Sequence, residues 1–155
     1  MTTITIDTAI AAPRELCFDL ARDVTAHAQS AAFSDERIVG PGKTSGLLEM
    51  GDLVTFEGKH FGVRQRFTAR IVEMNRPRSF ADIMVHGSFK WLRHIHEFQE
   101  DGRGTLMRDI LIWRAPLGPI GVIADWLFVK RHMEWFVRTK QHHLKAIAES
   151  RSGSV

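Results

Sequence analysis

Between residues 53 and 113 the chain offers five strand-like runs, at 53–60, 63–74, 79–86, 89–99 and 105–113. They are separated only by Phe61-Gly62, Asn75-Arg76-Pro77, Gly87-Ser88 and Asp101-Gly102-Arg103-Gly104. Connections this short leave no room for a crossover, so neighbouring strands must pair antiparallel. After Pro116-Leu117-Gly118-Pro119 the pattern changes. Val122, Trp126, Val129, Met133, Phe136, Leu144 and Ile147 recur at intervals of three, four and eight, the stripe of one long amphipathic helix that Lys140 interrupts. From 118 to 149 such a helix runs roughly 48 Å at 1.5 Å per residue.

The N-terminal part completes the pattern. Residues 3–10 alternate around Ile4, Ile6 and Ala9 and stop before Pro13, the signature of a first strand. Pro13 suits the first position of a helix, and Leu16, Cys17, Leu20 and Val24 follow at helical spacing. Residues 26–34 permit a second short helix. A strand end at 36–39 then precedes the turn Gly40-Pro41-Gly42. This order predicts an α+β helix-grip fold: a curved antiparallel sheet wrapped around a long C-terminal helix, with two short helices after the first strand. One domain over 1–150 and a disordered tail at 151–155 are expected.

At 155 residues, 44% hydrophobic and 25% charged, the chain has the make-up of a globular domain, neither disordered nor membrane-embedded. Its net charge is +3 and its pI about 9.4, but the basic residues alternate with carboxylates, so nucleic acid is not an expected partner. Cys17 is the sole cysteine and the N-terminus lacks a secretory pattern, which together favour the cytoplasm. The most apolar stretch, the ten residues 120–129, is interrupted by Asp125 and falls below the roughly 20 that span a bilayer. Ile120, Val122, Ile123, Trp126, Leu127, Phe128 and Val129 nevertheless cover nearly the full helix circumference, ahead of Lys130, Arg131 and His132. A helix buried on two sides is the expectation, since helices apolar all round are buried. Contact with a membrane surface or a partner is the alternative.

The strand at 89–99 carries the chemistry. Successive side chains on a strand point to opposite faces, so Leu92, His94, His96 and Phe98 share one side, while Trp91, Arg93, Ile95 and Glu97 share the other. Imidazoles flanked by hydrophobes on one face point to a cavity with something polar to hold. If the following hairpin loop holds an even number of residues, as when Phe98 pairs with Thr105 or Met107, then Asp109 joins the histidines. Met107, Leu111 and Trp113 then accompany it on the inner face. Phe56, Phe67, Trp126, Met133 and Phe136 are the further candidates for cavity walls, with His60 at the rim or exposed at a strand end. Arg64, Arg66, Thr68 and Arg70 form an outer face. A carboxylate beside an imidazole can fix its tautomer or hold its proton, which makes His94, His96 and Asp109 candidate acid–base residues. The simpler reading of the same residues is a mutually satisfied polar seam, with a ligand-bonding set next and catalysis last. Metal binding by His-x-His with a carboxylate is a weak signal, and no metal or cofactor is expected. No phosphate loop, serine-hydrolase elbow or dinucleotide fingerprint is present.

Four stretches carry a family resemblance: His60-Phe61-Gly62-Val63-Arg64-Gln65; Gly87-Ser88-Phe89 leading into His94-Ile95-His96-Glu97-Phe98; Gly104-Thr105 leading to Asp109; and Pro116-Leu117-Gly118-Pro119-Ile120-Gly121. On these the chain resembles, over nearly all of 3–149, the START-related, Bet v 1-like superfamily. That group is also called the polyketide cyclase/dehydrase and lipid-transport clan, or SRPBCC, and the likeness is to its small bacterial ligand-binding proteins. Ser88 stands where that group commonly carries proline, which loosens the turn before the histidine strand. The resemblance implies a deep hydrophobic cavity that binds or carries a lipid, isoprenoid or polyketide-like molecule. It implies no set reaction: many members only bind, some are cyclases or dehydratases, and fold does not choose between them. The oligomeric state is left open.

Overall fold

The computed structural model describes residues 1–153. A seven-stranded antiparallel sheet runs in the order β1-β7-β6-β5-β4-β3-β2. Its strands are β1 (Thr2–Ile10), β2 (Arg37–Val39), β3 (Leu53–His60), β4 (Val63–Asn75), β5 (Ser79–His86), β6 (Trp91–Asp101) and β7 (Gly104–Arg114). Between β1 and β2 lie α1 (Arg14–Arg22), α2 (Val24–Ser30) and a 3-10 turn at Ala32–Ser34. The chain ends in one continuous helix: α3 (Gly118–Ala124), a π-helical turn (Asp125–Val129) and α4 (Lys130–Gly153). This is the helix-grip architecture.

Local chemistry explains the joints. The Phe61-Gly62 hairpin has φ of 54° and 73° at its two central residues, the left-handed pair whose twist matches the flanking strands. Register shifts between β4 and β5, at Thr68/Ala69 and Ile71/Glu73, bend the sheet around its concave face. Asp23 caps α2 by accepting from the amides of Thr25 and Ala26. Pro13 occupies the N-cap of α1 and not its first turn, one position earlier than the spacing predicts. At the mouth of the last helix Gly121 is obligatory, because a Cβ there would lie 1.6 Å from the carbonyl oxygen of Pro116.

Three expectations are corrected. Ala9 faces outward and Ile10 continues the inner row of Ile4 and Ile6, as strict alternation requires. Arg151 to Gly153, expected in a disordered tail, prolong the last helix, and only Ser154 and Val155 lie outside the described residues. The apolar start of that helix is not buried on two sides. Leu117, Ile120 and Trp126 are 78%, 74% and 75% exposed, and Val122, Ile123 and Phe128 are exposed with them. The cause is placement: α3 and the π turn overhang the end of the sheet, held by Asp125, which accepts from Trp113 Nε1 at 2.7 Å and from the Thr2 hydroxyl. Among the described residues no helix is long and apolar enough to cross a membrane.

Two clusters of buried side chains form the core. One packs α1 through Cys17, Phe18 and Leu20 against Ile10, Phe80, Phe98 and Met107, with Leu144 from α4. The other gathers Ile4, Ile6, Leu92, Leu111 and Trp113 against Phe136 and Val137. Between sheet and helix the fit is incomplete, and a cavity of about 370 Å³ remains.

Candidate functional site

The cavity walls are Val54, Phe56, Phe67, Ala69 and Ile71 of β3 and β4, Leu92 of β6, Leu111 of β7, and Met133, Phe136 and Val137 of the last helix. Into this apolar space projects a belt of ionisable groups: Asp82, His94, His96, Lys140, His27 and Glu36. Belts of this kind are costly to bury and survive only where each member has a partner or a purpose.

The hairpin register sets the first half of the belt. Phe98 pairs with Met107 and His96 with Asp109, the even loop, so both imidazoles and the carboxylate share the concave face. His94 Nε2 lies 3.0 Å from Asp109 Oδ1, and His96 Nδ1 stands 2.7 Å from the same oxygen, off the line of an ideal hydrogen bond. The two imidazoles are tilted by 37° with centroids 3.9 Å apart, and Phe80 stacks on His96 at 4.3 Å. On the other side of His96, Nε2 is 3.5 Å from Oδ2 of Asp82, which strand β5 delivers from the rung opposite His94.

Electrostatics separate the two histidines. Burial, reinforced by the neighbouring His96, lowers the pKa of His94 despite Asp109, so it stays neutral and donates one ring proton to that carboxylate. Burial opposes charge on His96 too, but the adjacent carboxylates of Asp109 and Asp82 outweigh that and raise its pKa. Burial alone would lift the Asp109 carboxyl; the two imidazoles overcome it and hold the group well below the usual carboxylate range. The result is an anionic anchor behind one neutral and one readily protonated imidazole, a pair suited to orienting or exchanging protons with a ligand hydroxyl or carbonyl.

The second half comes from the helices. Lys140 Nζ is 2.6 Å from Nε2 of His27, whose ring stacks on Phe56 at 4.2 Å. Glu36 Oε1 is 3.5 Å from the same His27 nitrogen. Burial lowers the Lys140 pKa against the pull of Glu36, Asp109 and Asp82. It also holds His27 well below its ordinary value, with Lys140 adding to the effect. Glu36 is pushed up to about 7 by burial, which Lys140 only partly offsets. At the rim, His60 Nδ1 and His132 Nε2 are 2.8 Å apart, and burial beside His132 brings His60 down to about 4.

Among the expected wall residues, Phe56, His60, Phe67, Leu92, His94, His96, Leu111, Met133 and Phe136 line the cavity. Phe98, Met107, Asp109, Trp113 and Trp126 do not. Phe98 and Met107 face α1, which fills that end of the grip; Phe18 meets Phe98 edge-on at 5.5 Å. Asp109 sits behind the imidazoles, wholly buried. Trp113 turns its indole to Asp125, and Trp126 points to solvent from the overhanging turn. Of the expected outer face, Arg64, Arg66 and Arg70 are exposed and the first two reach Glu57, but Thr68 is buried against Thr55 and Arg66 also edges the cavity.

Four belt members escaped sequence reasoning. Lys140 left a trace as the break in the helical stripe, and the strand parity that Asp82 shares with Phe80 and Met84 is the signal that could have found it. His27 and Glu36 carry no such signal. For metal, Asp82, His94 and His96 each offer one donor atom, all within 4.8 Å of one another.

No family model matches the chain. No curated protein matches it either. Solved structures do. A protein of Thermus thermophilus is 17% identical with a TM-score of 0.76, covering 97% of this chain and 99% of that one. One of Chromobacterium violaceum is 14% identical with a TM-score of 0.73, over 96% and 99%. Ginseng major latex-like protein 151 from Panax ginseng is 13% identical with a TM-score of 0.66, over 95% and 97%. At these identities the likeness is one of fold alone, the helix-grip fold that Bet v 1-like proteins share.

Proposed function

We propose that this protein binds and carries a hydrophobic or amphipathic small molecule, of lipid, isoprenoid or polyketide type, with its polar end against the His94, His96, Asp82 and Lys140 belt. The supporting observation is the cavity itself: about 370 Å³ of largely apolar wall with a few convergent polar groups, the make-up of a small-molecule site. Native mass spectrometry of freshly purified protein tests it. A bound species, or uptake from a panel of fatty acids and isoprenoid alcohols, is the expected result; empty protein that takes up none of them would sink the reading.

Two observations favour extensions. The neutral His94 backed by Asp109 suits proton transfer next to a ligand carbonyl or hydroxyl, the step of a cyclase or dehydratase. That reading requires turnover that collapses in His94→Gln while binding persists. The exposed Leu117, Ile120, Ile123, Trp126 and Phe128, followed by Lys130 and Arg131, suit a peripheral contact with an anionic bilayer. Because Leu117, Gly121 and Phe61 also edge the cavity, such a contact would open it toward the acyl region. Flotation with vesicles of anionic and of neutral lipid tests this, and equal failure to bind either would remove it.

A further inference from the structure

We propose that Asp82, His94 and His96 form a binding site for a divalent transition-metal ion of the zinc class, with its open coordination positions facing the cavity. The sequence offers only two of these donors, on one strand. Asp82 arrives from the neighbouring strand β5, directly across from His94.

The spacing argues for an ion. His96 Nε2 and Asp82 Oδ2 are 3.5 Å apart, beyond the roughly 2.7–3.2 Å of a sound N–H···O hydrogen bond. Two donors each about 2.1 Å from a tetrahedral metal stand about 3.4 Å from one another, which is this separation. All three donors fall within 4.8 Å, at most about 1.4 Å over that edge, and the broad terminal torsion of a histidine closes such a gap cheaply.

The surroundings argue the same way. Asp109 bonds Nε2 of His94 and stands 2.7 Å from Nδ1 of His96, which leaves Nδ1 of His94 and Nε2 of His96 as the candidate ligand atoms. A buried carboxylate behind metal-bound histidines fixes their tautomers and orientation. Asp109 Oδ2 is buried with no other partner, so this carboxylate has no competing structural duty on that side. The donors stand on adjacent strands of one sheet, a rigid frame, and Lys140 Nζ is committed to His27 and not to this triad. Two imidazoles and one carboxylate match zinc, cobalt or iron(II) and not calcium or magnesium, which take oxygen donors. Three protein ligands leave room for a ligand oxygen from the cavity.

The test is a titration of chelator-treated full-length protein with Co²⁺, read by visible absorption, followed by displacement with Zn²⁺. One equivalent should bind, with d–d bands of four- or five-coordinate cobalt. Asp82→Asn and His96→Gln should each weaken binding at least tenfold, and Asp109→Asn by about 10–100-fold. His142→Gln and His143→Gln, on the last helix away from the belt, should change nothing. Circular dichroism checks that each variant is folded, and the double variant His142→Gln/His143→Gln decides even where a belt variant unfolds. Absence of cobalt bands at millimolar Co²⁺ would overturn the site, as would bands that persist in folded Asp82→Asn or vanish with the helix histidines.

Discussion

Glu36 is a carboxyl buried beside the cavity, its side chain 7% exposed and its Oε1 without a hydrogen-bond partner. Burial pushes its pKa from the ordinary 4.5 up to about 7, Lys140 opposing. Below pH 4.5 the group is protonated whether the chain is folded or not, and contributes nothing to pH dependence. As pH rises from 4.5 to 7 the unfolded chain releases this proton while the folded one keeps it, so folding is progressively disfavoured. Above 7 both states are ionised and the penalty is constant. A displacement of about 2.5 pK units corresponds to about 3 kcal/mol, more than a hundredfold in the unfolding equilibrium. Glu36→Gln removes the titration and keeps the shape. Urea unfolding of both proteins, followed by tryptophan fluorescence from pH 4 to pH 8, should give curves that run parallel below 4.5. They should then diverge until the variant has gained about 3 kcal/mol on the wild type at pH 8. The difference between the two pH values cancels any fixed cost of the substitution. An offset that stays constant across the range, within about 0.5 kcal/mol, would refute the burial of an ionising Glu36.

Further expectations follow from the same geometry. In a series of straight-chain carboxylic acids, each added methylene buried in the cavity should contribute about 0.8 kcal/mol, a rise of about fourfold in affinity per carbon, until the space is full. A flat series measured by calorimetry would contradict it. Asp109→Asn should cost on the order of 3 kcal/mol at pH 7 by leaving the buried His96 imidazole without its nearest counter-charge. Because the folded Asp109 pKa is depressed, its stabilisation is present above the ordinary carboxylate pKa and fades as pH falls, so the gap between variant and wild type should narrow in acid. Asp125→Ala should leave the buried Trp113 N–H unpaired at a cost of about 1–3 kcal/mol, and hydrogen exchange should show protection lost first in α3 and the π turn.

The sheet was legible because its physics is local. Connectors such as Phe61-Gly62 and Gly102-Arg103 admit only hairpins, and alternation along Leu92, His94, His96 and Phe98 assigns faces without knowledge of the rest. The even register that brings Asp109 to His96 was one of two open choices, and the pairing of Phe98 with Met107 selects it. What escaped depends on three-dimensional placement. Phe98 and Met107 carry the right parity for the cavity, yet α1 packs over their end of the sheet, and no periodicity in the strand records where a separate helix lands. Trp126 belongs to the helical stripe, but the π turn and the overhang past the sheet edge carry it into solvent. His27 and Lys140 are 113 residues apart, and their contact exists only because α2 packs on α4.

The most direct test is a crystal structure of protein purified without added lipid or detergent, compared with one soaked with a medium-chain fatty acid or isoprenoid alcohol. Elongated density between Phe56, Phe136 and Leu111, with its polar end within hydrogen-bond distance of His94, Asp82 or Lys140, is the expected result. A space closed by the protein's own side chains, or a soaked ligand that settles elsewhere or with its polar end turned from the belt, would contradict it.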